Sequence, residues 1–557
     1  MMKIEWLNEF SKQFLENGYL LQGQTVEDRI RIICDHAEKL LREELLNPED
    51  SYKLDGFSLK MQNYISRGWI SLSSPVWSNF GTNRGLPISC FGISIPDTME
   101  GIMFSAAEIG MMSKYGGGTA GYFGELRGRG SIITNNGTSD GTMPFLELFQ
   151  SISNVTKQGN VRRGYFAGYN DIYHPDIEEW LNIRSEGSPI QDITWGVCVP
   201  SWWINQMKDG DQQKRELWAK IIKKRFETGL PYISYTDNVN NNKPQAYIDK
   251  NIEIKAPQLC TEIFLQSDKD NSYVCNLLSY NDLYFDEYSK TDCVQIGTWF
   301  MDAVTTEFIN KSNNVEFLKR ANKFAKEQRA TGAGRLGYHS LLQSKMIAFE
   351  SLNARNYNIT IQKFIKEQSH IANEELAKIY GEPLLLKGYG LRMVTTQAIA
   401  PTTSSAFIMQ VSQSIEPWMS NLMIKDLAKG KYVIRNKYLE KLLEIKNKNT
   451  VETWDSILKQ QGSILHLDCL TDDEKSVFKT AREISQEEII IQAAHRQKYI
   501  DQGQSLNLFI TADTTPKEVN NLMLKAHDMG LKSLYYQHNV NAASEFSKKF
   551  NNCLSCE

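Results

Sequence analysis

The alternation of apolar and polar positions divides the chain into helical, mixed and strand–helix–strand stretches. Residues 1–80 carry helical spacing. After Thr25, which is suited to an N-cap, Ile30, Ile33, Ala37, Leu40 and Leu41 recur on one helix face within Val26 to Leu45. The turn-like Ser73-Ser74-Pro75 and the stretch Asn79 to Gly85 set a boundary near 70–85. Beyond it, helices alternate with short apolar runs, as in an α/β domain. Leu217 to Thr228 reads as a helix closed by Gly229. Pro231 to Tyr235, Ser272 to Ser279 and Met393 to Ile399 read as strands, and a helix-rich stretch is expected from about 418 to 500. Ser505 to Ile510 reads as a strand. Thr515-Pro516-Lys517-Glu518 then combines a capping box with an early proline. Val519, Leu522, Met523, Ala526 and Met529 form the apolar face of that helix, Gly530 ends it, and Leu531 to Tyr536 is the next strand. This βαβ unit, over 501–540, predicts two parallel strands. Residues 541–557, mostly polar, are expected to form a mobile tail.

Composition narrows the class. The chain has 557 residues, 41% hydrophobic and 23% charged, so it can bury a large core. A net charge of −4 without a dominant basic stretch gives no argument for nucleic acid. No apolar run is long enough for a membrane span and the N-terminus lacks a signal core, which predicts a soluble, cytoplasmic protein. The nine cysteines are odd in number and scattered, unlike a secreted disulfide framework. Any disulfide is expected to be catalytic and transient.

The candidate chemistry centres on Ala256-Pro257-Gln258-Leu259-Cys260-Thr261-Glu262. Pro257 favours an extended Ala256, which suits a loop tip. In an extended segment Cys260 and Glu262 share one face, so a thiol and a carboxylate meet one bound molecule. Glu262 then has the role of general base and the sulfur that of the covalent or radical centre. A buried, inert cysteine is the competing reading. Cys90 and Cys275 read locally as core cysteines. Cys553 and Cys556 form a Cys-x-x-Cys at the chain end; zinc would need two more ligands, so a thiol–disulfide relay fits better. The glycine-rich Ser113 to Gly121 matches no nucleotide-binding spacing. Ala400-Pro401-Thr402-Thr403-Ser404-Ser405 follows an apolar run and is either a phosphate cradle or a plain turn. Gln158 to Gly164 is either an anion-binding loop or a solvated one. Tyr535 and Tyr536 read locally as one core and one exposed tyrosine.

Together these motifs resemble the large, catalytic subunit of class I ribonucleotide reductase. Leu259-Cys260-Thr261-Glu262, Gln158 to Gly164, Pro401 to Ser405 with Gln413-Ser414-Ile415-Glu416-Pro417, Arg496 to Gln502, and Leu534-Tyr535-Tyr536-Gln537 carry the resemblance, in order. It implies a ten-stranded α/β barrel of two five-stranded parallel halves over 81–500, with a finger loop near 256–265. A helical domain precedes the barrel, and the small βαβ unit and a redox tail follow it. It implies that Cys260 becomes a thiyl radical and takes the substrate's 3′ hydrogen, and that Glu262 takes the 3′-hydroxyl proton. Cys90 and Cys275 are the implied reducing pair, Tyr535 and Tyr536 the radical relay, and Cys553 and Cys556 the pair that re-reduces the site. Thr402, Thr403, Ser404 and Ser405 would hold the phosphates of a ribonucleoside diphosphate, with Ser74, Ser89 and Gly118 on the ribose side. Asp97, Arg127 and Ile133 match positions binding a nucleoside triphosphate effector at a homodimer interface, and the 158–164 loop relays its identity. A separate, metal-containing small subunit would supply the radical, and thioredoxin or glutaredoxin the electrons. No cofactor or metal is expected in the chain itself, and no nucleic-acid or membrane partner.

Two departures stand out. Gln258 occupies the place of the family's usual asparagine, one methylene longer, and a shift of about 1 Å in a catalytic group can cost roughly 100-fold in rate. The helical region also begins almost at once, so this short form is expected to lack an ATP-cone and the dATP control it brings. The relay also needs both tyrosines near one path, which predicts that the chain leaves ideal strand geometry at or just after Tyr536. The alternatives are an adenosylcobalamin-dependent class II enzyme, disfavoured by the adjacent tyrosines before a redox tail; a glycyl-radical enzyme, for which no C-terminal glycine motif is visible; and an inactive nucleotide-binding regulator, disfavoured by the complete set of cysteines.

Overall fold

The N-terminal helices form where apolar spacing and caps coincide. In a computed structural model, which describes residues 3–156, 158, 164–427 and 430–539, the helix Val26–Glu43 starts at Thr25 with a complete capping box closed by Asp28 and buries Ile30, Ile33 and Ala37. The helices Glu9–Glu16 and Phe57–Ser66 accompany it. This layer leads into the sheet through β1 (Ile70–Leu72) and the short helix Ser74–Asn79.

The central sheet has nine strands. β2 (Cys90–Ser94), β3 (Gly118–Tyr122), β4 (Tyr165–Asp171), β5 (Thr194–Val199) and β6 (Tyr232–Tyr235) run parallel in that order. β7 (Tyr273–Asn281) lies antiparallel to both β1 and β2, and β8 (Thr331–Leu336) lies parallel to β7. The five parallel strands are the expected first half-barrel. They are buried almost end to end, as strands covered on both faces must be. Large tyrosines fill the interior because glycines on neighbouring strands make room. Gly92 is the register partner of Tyr273, and a β-carbon there would overlap the Tyr273 ring.

The second half is less regular. Met393 to Ile399 does not form a continuous strand. It joins the sheet through bridges from Gln397 to Ala333 and from Ile399 to Gln504, both parallel. Backbone bonds with Thr331, Ala333, Gln502, Gly503 and Ser505 accompany these bridges, and side chains add to them: Thr395 donates to Thr331 O, and Asp501 accepts from the Thr396 and Gln397 N–H groups. The stretch from 418 onward also departs from expectation. It opens with an antiparallel hairpin, Leu422–Leu427 with Gly430–Arg435, before its helices begin, and it has a small core of its own around Leu439, Trp454 and Phe478.

The C-terminal unit keeps its predicted helix, Pro516–Asp528, with the Thr515–Glu518 capping box and proline in the first turn. Its strands are corrected. β9 (Leu508–Ile510) pairs in parallel with β11 (Gln537–Asn539), whereas β10 (Ser533–Leu534) pairs antiparallel with β6. The chain changes partner at Tyr535-Tyr536, so the expected break in strand geometry falls on the two tyrosines themselves. Gly229, in the left-handed region at φ +78°, packs against the backbone of Gln537 and lets β11 approach.

Candidate active site

The finger loop is buried from Ala256 to Leu265, so its backbone groups need partners inside the protein. Gln258 N–H donates to Ile263 O at 3.1 Å and Thr261 N–H to Gln258 O at 3.1 Å, which closes a tight turn. Thr261 has φ +67°, a left-handed conformation that costs a β-branched residue about 1–3 kcal/mol. The extended geometry expected for Cys260-Thr261-Glu262 is therefore replaced by a turn. Cys260 and Glu262 nevertheless line the same cleft.

That cleft has a volume of about 600 Å³, counting its open mouth. Gln258, Cys260 and Glu262 line it from the finger loop, Ser89 and Cys90 from the start of β2, and Gly118 from the start of β3. Ser74 and the run Thr402 to Ser405 complete the expected lining. Cys275 lies behind this wall, fully buried, directly opposite Cys90 in the β2–β7 ladder. Opposed residues in an antiparallel ladder have Cα atoms about 4.5–5.5 Å apart, inside the roughly 4.4–6.8 Å a disulfide spans. No disulfide joins the two in this structure.

Burial dominates the electrostatics. It raises Glu262 to about 7, against the opposing pull of its own backbone N–H, the Ser505 hydroxyl and the Gln258 amide. Burial also pushes the Cys275 thiol up, with the Gln502 amide 3.5 Å from its sulfur working the other way. Gln258 turns its carbonyl oxygen back to the Cys260 N–H at 2.5 Å, a bond within its own loop. Its Nε2, although near enough to favour the Glu262 carboxylate, closes no regular hydrogen bond with protein among the described residues.

The hydroxyl-rich turn is braced from below. Thr402 Oγ1 accepts from Ser414 N–H at 2.6 Å, Thr403 Oγ1 donates to Gln413, and Gln413 in turn donates to Glu416. Burial raises Glu416 to about 7. Tyr535 is buried and Tyr536 half-buried, with ring centroids 4.4 Å apart. Ser533, two residues before Tyr535, donates to Thr261 O at 2.9 Å and so ties this segment to the finger loop. Asp97 and Arg127 form an ion pair at 2.8 Å, and Arg127 reaches Ile132 O, beside Ile133. They lie away from the cleft lining. Of the 158–164 loop, Gln158 is buried and donates to Asn79 at the end of the Ser74–Asn79 helix, while 159–163 lie outside the described residues. Cys553 and Cys556 also lie outside them.

Several neighbours carried no separate signal in the sequence. Tyr232 packs against both tyrosines, at 4.7 Å from Tyr535 and 5.0 Å from Tyr536. Tyr19 places its hydroxyl 3.2 Å from Ser74 and 3.4 Å from Ser404. Gln502 and Ser505 bond the finger loop directly. Gln502 stood inside a quoted motif, and Tyr232 and Ser505 stood in predicted strands, but none of them was assigned a part in the site.

Comparison with known proteins matches the model for the ribonucleotide reductase barrel domain over residues 88–214, 205–385 and 384–537. The chain belongs to the ribonucleotide reductase family. It is 33% identical over 589 residues to the ribonucleoside-diphosphate reductase large subunit of Invertebrate iridescent virus 3, covering 89% of this chain and 92% of that one. To the large subunit of Danio rerio it is 27% identical, covering 95% of this chain and 75% of the relative. Among solved structures, the Actinobacillus ureae class Id ribonucleotide reductase alpha subunit superposes with a TM-score of 0.90 at 49% identity, over 97% of this chain and 99% of that one. This class I neighbour does not favour the cobalamin-dependent alternative. Among the described residues, no helix is long and apolar enough to cross a membrane and no cluster of His, Cys, Asp and Glu could hold a metal ion.

The β2–β7 register makes a direct prediction. Diamide oxidation of the folded protein should give a Cys90–Cys275 cross-linked peptide as its main disulfide from the barrel, detected by mass spectrometry after digestion. A product dominated by Cys198 or Cys293 would contradict the pairing.

Proposed function

We propose that the cleft reduces ribonucleoside diphosphates to 2′-deoxyribonucleoside diphosphates by thiyl-radical chemistry, as the catalytic subunit of a class I ribonucleoside-diphosphate reductase. The observation that carries this reading is one cleft lined by Cys260, Glu262 and Cys90, with Cys275 directly behind. A radical made on a separate small subunit reaches Cys260 through Tyr536 and Tyr535; their edge-to-face rings, 4.4 Å apart, and the nearby tie from Ser533 to Thr261 support the path. The Cys260 thiyl takes the substrate's 3′ hydrogen while Glu262 takes the 3′-hydroxyl proton. Cys90 protonates the leaving 2′-hydroxyl, which departs as water. The two thiols supply two electrons and two protons, the 2′ carbon gains hydrogen, and a Cys90–Cys275 disulfide forms; Cys260 then returns the 3′ hydrogen and Glu262 the 3′-hydroxyl proton, which regenerates the thiyl.

The hydroxyls of Thr402 to Ser405, at the start of the short helix Thr403–Met409, suit the phosphates. Ser74, Ser89 and Gly118 suit the ribose. Gln258, bonded within its own loop, takes the place of an asparagine and leaves its amide N–H available to Glu262 or a substrate hydroxyl. A nucleoside triphosphate effector would bind at Asp97, Arg127 and Ile133 across a homodimer. Gln158, joined to the helix that begins at Ser74, gives that signal a route to the cleft. Thioredoxin or glutaredoxin would restore the dithiol through Cys553 and Cys556.

Three outcomes test this. Cys260→Ser should abolish dCDP formation from CDP with the small subunit present while effector binding persists, since serine is nearly isosteric but forms no thiyl. Residual turnover at about a tenth of wild type would reject the radical assignment, because loss of a covalent centre costs far more. The pH profile should follow Glu262. The carboxylate is the active form, so kcat should fall as pH drops through about 7, and Glu262→Gln should be inactive at every pH. Replacing Cys553 and Cys556 together with serine should spare the first turnover and stop thioredoxin-driven cycling. Dithiothreitol, being small, should restore much of it.

A further inference from the structure

Ser505 is placed where two hydrogen bonds need one proton. Its Oγ lies 2.5 Å from Cys260 O and 2.9 Å from Glu262 Oε2. A serine hydroxyl carries a single hydrogen, and a backbone carbonyl has none to give. Ser505 and Glu262 are both almost completely buried, so water has little access to make up the difference. When Glu262 is ionised it is the stronger acceptor, and the serine proton goes to it. When Glu262 is protonated, its own O–H donates to Ser505 Oγ, and the serine proton goes to Cys260 O. Only the second state fills both contacts.

We propose that Ser505 is a positioning residue that makes the hold on the Cys260 backbone depend on whether Glu262 carries a proton. The proposal rests on the reading of Cys260 and Glu262 given above. In that reading Glu262 gains the substrate's 3′-hydroxyl proton at the stage when Cys260 holds the 3′ hydrogen. The serine hydroxyl then turns from carboxylate to carbonyl and clamps the loop that carries the sulfur. The proton moves from substrate oxygen to carboxylate, and the serine only reorients.

The surroundings suit such a device. The Gly503 N–H donates to Glu262 O at 2.7 Å, and Ser505 N–H to Ile399 O at 2.9 Å, so both ends of the contact are held by backbone. A β-carbon at Gly503 would run into the Phe264 ring, so only glycine lets the segment come this close. The titratable groups facing Glu262 are the Cys260 and Cys90 thiols lining the cleft, Cys275 and Tyr273 on β7, and Tyr169 on β4. Burial pushes Cys275, Tyr169 and Tyr273 up into their neutral forms. No lysine, arginine or second carboxylate is among the causes that shift Glu262.

The test compares pH profiles of kcat for dCDP formation by the holoenzyme. The hydroxyl favours the carboxylate over the carboxyl, so its loss should move the acid limb to higher pH. Ser505→Ala should shift that limb up by about one pH unit, the size expected for one hydrogen bond to an ionised group, and Ser505→Thr should leave it in place. Ser505→Val, equal in shape to Ser505→Thr but without the hydroxyl, covers the case in which Ser505→Ala fails to fold. A lowered kcat with an unmoved limb in both Ser505→Ala and Ser505→Val overturns the proposal, because a purely structural role predicts that result. A wild-type profile with no acid limb, or an active Glu262→Gln, removes the base assignment itself and this proposal with it.

Discussion

A buried loop must find partners for its backbone, and that requirement organises the catalytic half of this molecule. Each N–H or carbonyl taken out of water without a partner costs about 1–3 kcal/mol. The finger loop closes part of the deficit within itself and the rest through Tyr169, Gln502, Gly503, Ser505 and Ser533. These residues come from β4, from the segment after Arg496 and from β10. One loop thus fixes the mutual positions of the first half-barrel, the C-terminal unit and the tyrosine pair. The left-handed Thr261 is tolerated for the same reason, since its carbonyl is held by Ser533 while its neighbours are held by Ser505 and Gly503.

The second half of the barrel is joined directly to this arrangement. In a regular sheet, strand backbones spend their donors and acceptors on one another. Here the segment 502–505 serves both sheet and loop: the Gln502 N–H, Gly503 carbonyl and Ser505 N–H pair with Gln397 and Ile399, while the Gly503 N–H and the Gln502 and Ser505 side chains hold the finger loop. Gly503 gives its N–H to Glu262 O and its carbonyl to Ile399, and Gln502 divides its amide among Phe264, Thr331, Thr395 and Cys275. The bridge at Ile399 therefore lies in the same segment that holds the loop through Gln502, Gly503 and Ser505.

What the sequence disclosed follows the range of the forces involved. Val26–Glu43 and Pro516–Asp528 were legible because capping and apolar spacing act over a few residues. The strand Tyr273–Asn281 was legible because burial on both faces leaves an apolar run. The partner switch at Tyr535-Tyr536 was visible only in part: relay geometry demanded a break, but the antiparallel pairing of Ser533–Leu534 with Tyr232–Tyr235 is a contact between distant segments. The extended reading of Cys260-Thr261-Glu262 failed because local preference disfavours a left-handed threonine, and contacts remote in sequence impose it. Tyr19 was hidden for the same reason, since its hydroxyl meets Ser404 across 385 residues. The cysteines at 90, 260 and 275 read singly as core, and only their order among other motifs gave them a role.

In the proposed mechanism, dryness lets one set of residues serve both acid–base and radical steps. Low polarity disfavours every charged form, so it lifts a carboxylic acid toward neutral pH and lifts thiols and phenols away from it. Glu262 therefore becomes a base that both accepts and releases a proton readily near neutrality, while Cys275 and Tyr273 keep theirs. A thiol or phenol that keeps its proton can give it up together with an electron, as a hydrogen atom, which is the currency of a radical path. The same burial that makes the finger loop expensive to fold thus separates its proton chemistry from its hydrogen-atom chemistry. Opening the cleft to water would weaken both at once: Glu262 would fall back toward an ordinary carboxylic acid, and the thiols would approach the range where they ionise.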